Sequence, residues 1–91
     1  MDFEWDTDKA DANLTKHQVS FEEARTVFED PLFVIFADPD HSGDESRFLI
    51  LGTSSQGRLL VVAYTERSEV VRVISARRAT RQEQRDYEED I

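Results

Sequence analysis

The chain has 91 residues, of which 38% are apolar and 10% aromatic. This length suits one small folded domain covering residues 1–91, and it is too short for an enzyme built from two domains around a cleft. The absence of cysteine excludes disulfides, thiolate metal sites and a cysteine nucleophile, and it favours a reducing, cytoplasmic location. No apolar segment approaches the roughly 18 residues needed to cross a bilayer, so no membrane association is expected.

Charge is distributed unevenly along the chain. The net charge is −9, but residues 1–46 hold thirteen acids and three bases, whereas residues 47–85 hold eight arginines and three acids. The acidic balance argues against nucleic acid as a partner, since nucleic-acid-binding proteins are usually basic. The arginines argue the other way, because the planar guanidinium suits phosphate. We expect the acids of the first half to lie mostly away from the arginines, so that one face of an acidic protein can be positive.

Two helices are predicted in the first third of the chain, after a short strand at Phe3–Trp5. Asp6 is a suitable N-cap for a helix over residues 7–17. Ser20 followed by Glu23 is a capping-box pattern, which starts a second helix. That helix is expected to end before the next proline, because the residue before a proline avoids the helical conformation.

Four strands and a polar helix are predicted for the rest of the chain. The apolar run Leu32–Phe36 is followed by three strands at hairpin spacing, Phe48–Thr53, Arg58–Glu66 and Val70–Arg77. A second capping-box pattern at Thr80 starts the last helix. This order predicts a small α+β fold, in which an antiparallel sheet carries the two N-terminal helices on one face and is followed by a short C-terminal helix.

Strand parity predicts that both faces of this sheet are apolar in the middle. The prediction pairs Thr53 with Arg58 and Thr65 with Val70. Two helices cover one face, and the other is then either a partner surface or closed by the polar last helix and the loops. The same register places Arg58 opposite Arg77, a like-charge pair that a bound anion or splaying toward solvent would relieve.

The chain lacks the residue patterns of metal and nucleotide sites. Its two histidines, His17 and His41, are not at metal-ligand spacing, and the acidic segment 38–41 is more typical of a turn than of a cation site. There is no glycine-rich phosphate loop. No metal and no cofactor are therefore expected.

Metal-free cleavage of RNA is compatible with the residues present. It needs a base near the 2′-hydroxyl, cations for the charge that develops on the phosphoryl group, and an acid for the leaving oxygen. Glu66, Tyr64 or a histidine could exchange protons, and Arg67 and Arg77 could stabilise the charge.

A series of motifs spans almost the whole chain in order. They are Trp5-Asp6-x-x-Lys9, Asn13-x-x-Lys16-His17-x-Val19-Ser20-Phe21, Asp38-Pro39-Asp40-His41-Ser42, Glu45-x-Arg47, Leu51-Gly52, Tyr64-Thr65-Glu66-Arg67 and Arg72-x-Ile74-Ser75-Ala76-Arg77-Arg78-Ala79-Thr80-Arg81-x-Glu83. Together they resemble the BrnT toxin family. The sequence departs from the family pattern at Gln18, where glycine is usual, and at Ser68-Glu69, which replace a more typical Gly-Asp turn.

The resemblance implies a RelE-like fold and a metal-independent ribonuclease toxin of a type II toxin–antitoxin system, which inhibits translation by cutting RNA. It implies a ribbon-helix-helix antitoxin of the BrnA type, through which the complex contacts operator DNA and represses its own operon. The alternative is a non-catalytic module that keeps only the antitoxin-binding surface and helps repression.

The resemblance also implies site residues. The catalytic candidates are Glu66, Arg67 and Arg77. Tyr64, Arg72, Lys16 and His17 are the candidates for RNA binding that the resemblance implies, and Arg47 and Arg58 are added from the arginine-bearing half of the chain.

Overall fold

The computed structural model describes residues 1–38 and 47–89. Its elements, in chain order, are β1 (Asp2–Glu4), α1 (Thr7–His17), α2 (Phe21–Thr26), a 3₁₀ turn (Val27–Glu29), β2 (Val34–Ala37), β3 (Arg47–Thr53), β4 (Leu59–Arg67), β5 (Val70–Arg78) and α3 (Arg81–Glu89). The strands form one sheet in the order β1-β5-β4-β3-β2. Helices α1 and α2 pack on one face and α3 packs on the other. The predicted α+β class is confirmed.

The N-terminal strand departs from the predicted antiparallel sheet, because β1 pairs with β5 in parallel, with Phe3 beside Val71. No hairpin joins these two strands, so no local turn determines their direction, and the intervening chain provides the long crossover that a parallel pair needs. The rings of Phe3 and Phe28 meet edge to face at 5.1 Å, and this contact ties β1 to the helical layer.

The first helix begins and ends as predicted. The Asp6 carboxylate accepts hydrogen bonds from the amides of Asp8 (2.9 Å) and Lys9 (3.1 Å). Gln18 ends the helix in the left-handed conformation, with φ of 59°. Glycine adopts that conformation without steric cost, whereas a residue with a Cβ atom, such as Gln18, is strained there.

β1 pairs only with the first residues of β5, and further along that edge a buried side chain of α1 satisfies the backbone groups of β5. The Asn13 amide group donates to the carbonyl of Ala76 (2.9 Å) and accepts from the Ala76 amide (3.1 Å). It also donates to the carbonyl of Val19, just after the helix (2.9 Å). One asparagine therefore replaces a missing neighbouring strand and sets the distance between α1 and the sheet.

A β-bulge in β5 reverses the orientation of its side chains. The register shifts between Ala63 and Tyr64 of β4, and Ile74 is the extra residue on β5. Beyond the bulge Ala76 faces the helical layer, where it is fully buried, and Arg77 faces α3. The bulge has no signal in the hydrophobic pattern, so the sequence does not predict which way Arg77 points.

The β3–β4 hairpin has a different register from the predicted one. Thr53 pairs with Leu59 rather than with Arg58. The carbonyl of Arg58 instead accepts a hydrogen bond from the Ser54 amide (2.8 Å) and closes the turn. This frees the Arg58 side chain to reach the helical layer.

The turn of the β4–β5 hairpin is two residues shorter than predicted. Arg67 pairs with Val70, so Ser68 and Glu69 alone form the turn. Both have positive φ, 48° and 70°. Turns of this kind prefer Asn-Gly or Asp-Gly, because residues with a Cβ atom are strained there.

We predict that changing Ser68-Glu69 to Asn-Gly raises the free energy of unfolding by about 1 kcal/mol, since each left-handed residue with a Cβ costs roughly that much. Urea denaturation of the two proteins measures the difference. Gln56→Gly is the control, because Gln56 lies in an exposed turn without a positive φ and should gain nothing. An Asn-Gly variant no more stable than the starting protein would contradict the assignment of a strained turn.

Candidate functional site

Arg58 takes part in a buried ion pair at the junction of the helices and the sheet. The side chain of Glu23, 2% exposed, accepts two hydrogen bonds from the Arg58 guanidinium, one of them at 2.9 Å from Nε, and one from Ser54 Oγ (2.7 Å). The Arg58 hydrogen bond lowers the pKa of Glu23, while burial opposes it. Arg58 Nη2 also donates to the carbonyl of Gln18 (3.0 Å). Its hydrogen-bonding capacity is thus directed into the protein.

This pair corrects two expectations and adds an exception to a third. The acids of α1 and α2 are expected to lie mostly away from the arginines, and Glu23 is an exception because it binds Arg58. Arg58 does not lie opposite Arg77, since the two side chains are on opposite faces of the sheet. Ser20 Oγ accepts from the Glu23 amide (3.0 Å), so the N-cap is confirmed, but the Glu23 carboxylate is bound by Arg58 and does not complete the capping box.

Arg77 attaches the start of α3 to the sheet. It donates to both carboxylate oxygens of Glu83, at 2.8 and 2.9 Å. Thr80 and Glu83 complete the predicted capping box, through bonds from the Thr80 amide (2.8 Å) and from the Glu83 amide (3.2 Å). The pKa of Glu83 falls from 4.5 to about 2, chiefly because Arg77 donates to its carboxylate, with burial opposing the shift.

Tyr87 attaches the other end of α3. Its hydroxyl donates to the Asp30 carboxylate (2.6 Å), which also accepts from the amides of Thr53 (2.7 Å) and Leu32 (2.9 Å). Burial alone would raise the pKa of Asp30, but these hydrogen bonds together lower it. The ring of Tyr87 packs against Leu51 and closes this end of the second apolar face.

Three arginines surround Thr65 at the opposite end of that face, and we call Arg47, Arg67 and Arg72 the arginine cluster. Thr65 pairs with Arg47 on β3 and with Arg72 on β5, while Arg67 is two residues further along β4. Because neighbouring strands lie about 4.8 Å apart, the Cα atoms of Arg47 and Arg72 are about 10 Å from each other. The cluster is therefore small enough for its guanidinium groups to converge on one or two phosphates.

A cavity of about 170 Å³ opens within the cluster, lined by Glu4, Thr65, Arg67 and Arg72. Glu4 lies 3.8 Å from Arg72, and both side chains are about half exposed. An exposed pair at this distance is held weakly. A polyanion can therefore replace Glu4 as the partner of Arg72 at little cost.

Tyr64 and Glu66 lie on the helical side of β4. Tyr64 is 4% exposed, and its ring contacts Phe28 (5.0 Å) and Phe48 (5.7 Å), so it packs in the core. Burial, followed by the charge of Glu66, raises the pKa of its hydroxyl. Glu66 is exposed at the end of the strand, next to Arg67 but on the opposite face.

The structure does not bring the predicted catalytic residues together. Arg77 is five residues from Arg72 along β5, which corresponds to about 16 Å. Lys16 and His17 lie in the last turn of α1, directly before Gln18, and so belong to the region of Arg58. The candidate residues thus form two groups, one around Thr65 and one at the opposite end of the sheet.

The described ranges 1–38 and 47–89 contain no group of three or more His, Cys, Asp or Glu side chains that could hold a metal ion. His41 and most of the acidic segment 38–41 lie outside these ranges. Within the same ranges, no helix is long and apolar enough to span a bilayer.

Comparison with known proteins gives a family and a fold. A family model described as "Ribonuclease toxin, BrnT, of type II toxin-antitoxin system" matches residues 5–83. The crystal structure of the Brucella abortus ribonuclease toxin BrnT superposes with a TM-score of 0.68 and 23% sequence identity, covering 89% of this chain and 99% of that one. No curated protein matches the chain. At this identity the superposition shows the same fold.

The Glu83–Arg77 contact predicts a pH-dependent attachment of α3. Because the pKa of Glu83 in the folded protein, about 2, is below its ordinary 4.5, the contact stabilises the fold above pH 4.5 and is lost as the pH falls toward 2. We expect Glu83→Gln to be less stable than the starting protein at pH 7, and the difference to shrink in acid. Glu89→Gln, on the same helix, should show no such difference. A Glu83→Gln deficit that stays constant with pH would contradict the ion pair.

Proposed function

Because the chain belongs to the BrnT family of ribonuclease toxins of type II toxin–antitoxin systems, we propose that it is an endoribonuclease that inhibits translation by cutting RNA without a metal ion. Because the proposed substrate is RNA used in translation, we assign the protein to the cytoplasm. Its partner is a ribbon-helix-helix antitoxin of the BrnA type, which neutralises it and carries the complex to operator DNA.

The arginine cluster is the observation that supports this proposal. It comes from three neighbouring strands and lies on a part of the sheet face away from α3. The strands fix the backbone positions of these arginines, and the planar guanidinium loses less rotamer entropy per hydrogen bond than a lysine does. The overall charge of −9 does not prevent this, because charges on exposed groups are screened over about 8 Å at physiological salt.

The chemistry needs groups of the protein and water. A base takes the proton of the RNA 2′-hydroxyl, the 2′-oxygen attacks phosphorus, and the bond to the 5′-oxygen breaks as that oxygen receives a proton from water. Arg67, with Arg47 and Arg72, stabilises the negative charge that develops on the non-bridging oxygens. We assign Glu66 as the base. Because its side chain lies on the face of β4 opposite Arg67, the RNA has to pass around this end of the strand to bring its 2′-hydroxyl to Glu66. The products carry a 2′,3′-cyclic phosphate and a 5′-hydroxyl.

Arg77 is the third catalytic candidate, and its contacts allow two roles. In the first, it contacts the RNA directly, about 16 Å along β5 from Arg72. In the second, it acts only by holding α3 through Glu83. The bidentate contact favours the positioning role, since both ends of the guanidinium fork are already occupied.

A non-catalytic antitoxin-binding module is the second candidate function. The observation that favours it is the use of Arg58 and Arg77 in ion pairs with Glu23 and Glu83, which removes two arginines from those available to RNA. Such a module would still bind the antitoxin and assist repression, but it would neither cut RNA nor arrest growth.

We predict that Arg67→Ala abolishes growth arrest and lowers RNA cleavage by a factor of 10² or more, the usual effect of removing one transition-state donor. The fold should be retained, because Arg67 is exposed. Arg85→Ala, on the exposed surface of α3, is the control and should remain toxic. Full cleavage by Arg67→Ala would show that the site assignment is wrong.

The two roles of Arg77 are separated by comparing Arg77→Ala with Glu83→Gln. If Arg77 only positions α3, both variants lose the same activity. If Arg77 contacts RNA, Arg77→Ala is far more damaging than Glu83→Gln.

Cleavage should persist in EDTA, because the proposed mechanism uses no metal ion. Mass spectrometry of the products should detect 2′,3′-cyclic phosphate or 3′-phosphate ends, and an oligonucleotide with 2′-deoxyribose at the cleavage position should resist cutting. A magnesium requirement, or products ending in a 3′-hydroxyl, would exclude 2′-hydroxyl attack. An intact RNA under all conditions would favour the non-catalytic module.

A further inference from the structure

The outer edge of β2 offers unpaired backbone groups. β2 is the terminal strand of the sheet, next to β3. The hydrogen bonds of an antiparallel pair alternate along each strand. Because the Asp38 amide donates to the carbonyl of Arg47 (3.1 Å), the residues of β2 whose N–H and C=O point away from β3 are Ile35 and Ala37. Within the described part of the chain, these groups face no neighbouring strand.

The side chains along this edge are apolar and exposed. Relative exposures are 46% for Leu32, 43% for Phe33, 45% for Ile35 and 37% for Phe36. Edge strands of monomeric proteins are normally protected by charges, prolines or bulges. The four residues of β2, Val34–Ala37, include no charge and no proline. An edge of this kind is suited to pairing with another extended chain.

The charge around β2 indicates what kind of chain would pair with its edge. Residues 26–46 contain six acids and no lysine or arginine. Glu29 precedes β2 and Asp38 follows it, so antiparallel pairing of two copies would bring acidic ends together. Like charges placed side by side across a strand pair destabilise it. The complementary partner is therefore a different chain, with apolar residues along its strand and basic residues beside it.

We propose that β2 is the docking edge for an extended segment of the antitoxin, which adds a sixth strand to the sheet through the backbone groups of Ile35 and Ala37. The proposal rests on the proposed function for the existence of this antitoxin. The bound strand has apolar side chains that cover Ile35 and Phe36, and lysine or arginine near its ends.

This position also accounts for neutralisation. The Ala37 end of β2 lies beside Phe48 of β3, one residue from Arg47 of the arginine cluster. A strand added there stands two strands, or about 10 Å, from Arg47. The chain that continues from it can cover the cluster and exclude RNA.

The decisive variant is Ile35→Lys, with Leu14→Lys as the matched control. Leu14 is exposed to a similar extent, 50%, but lies on α1. The probe is the purified ribbon-helix-helix antitoxin of the proposed pair. We expect Ile35→Lys to weaken binding of that protein at least tenfold and Leu14→Lys to leave it unchanged. Ala37→Pro, which removes only an outward-facing amide, should weaken binding as well.

Hydrogen exchange of the full chain, alone and in complex, locates the added strand directly. The amides of Ile35 and Ala37 should exchange rapidly in the free protein and slowly in the complex. Those of Val34 and Phe36, which face β3, should be slow in both states. Protection of Ile35 and Ala37 that grows with the concentration of the free protein would identify a second copy as the occupant and overturn the proposal, as would unchanged affinity in Ile35→Lys.

Growth arrest separates this inference from the proposed function. Without the antitoxin, Ile35→Lys and Leu14→Lys should both arrest growth as the starting protein does. With the antitoxin, only Ile35→Lys should remain toxic. If no variant arrests growth but Ile35→Lys still loses binding, the ribonuclease proposal fails and the docking edge stands.

Discussion

The Glu23–Arg58 ion pair joins the helical layer to the sheet, and the remainder of the fold depends on it. It connects α2 with the start of β4, and through the carbonyl of Gln18 it also holds the end of α1. Removing one member of a buried pair leaves an uncompensated charge and typically costs about 3–5 kcal/mol. A small domain has a total stability of only about 5–15 kcal/mol, so losing either partner alone is expected to remove a large share of it.

The arginines of this acidic protein have two distinct uses. At one end of the sheet they bind carboxylates, with Arg58 holding α2 and Arg77 holding α3. At the other end, Arg47 and Arg72 flank Thr65. The first use gives Glu23 and Glu83 a structural role, but because each pair is neutral it leaves the net charge of −9 unexplained. The second concentrates positive charge where strands, and not long loops, determine its geometry.

Local features of the fold follow from the sequence, and long-range features do not. The N-cap Asp6, the helix 7–17 and the capping box at Thr80 depend on residues within one helical turn, so they could be predicted. The parallel pairing of β1, the bulge at Ile74 and the tight turn at Ser68 depend on how distant segments pack. The arginine-rich half was visible in the sequence, but a one-residue bulge decides the face on which Arg77 lies. The position of Glu23 three residues after Ser20 predicts a capping box, whereas its carboxylate binds Arg58 instead.

The central claim is that RNA binds to the arginine cluster and not to the opposite end of the sheet. The most direct measurement is the change in backbone amide NMR shifts when an uncleavable RNA, with 2′-deoxyribose at the cleavage position, is added to the full chain. The account predicts the largest changes at Thr65, Arg67 and Arg72, weakening steeply as salt is raised, because phosphate contacts release counterions. Changes centred on Lys16, His17 and Arg77, with the cluster unaffected, would contradict it.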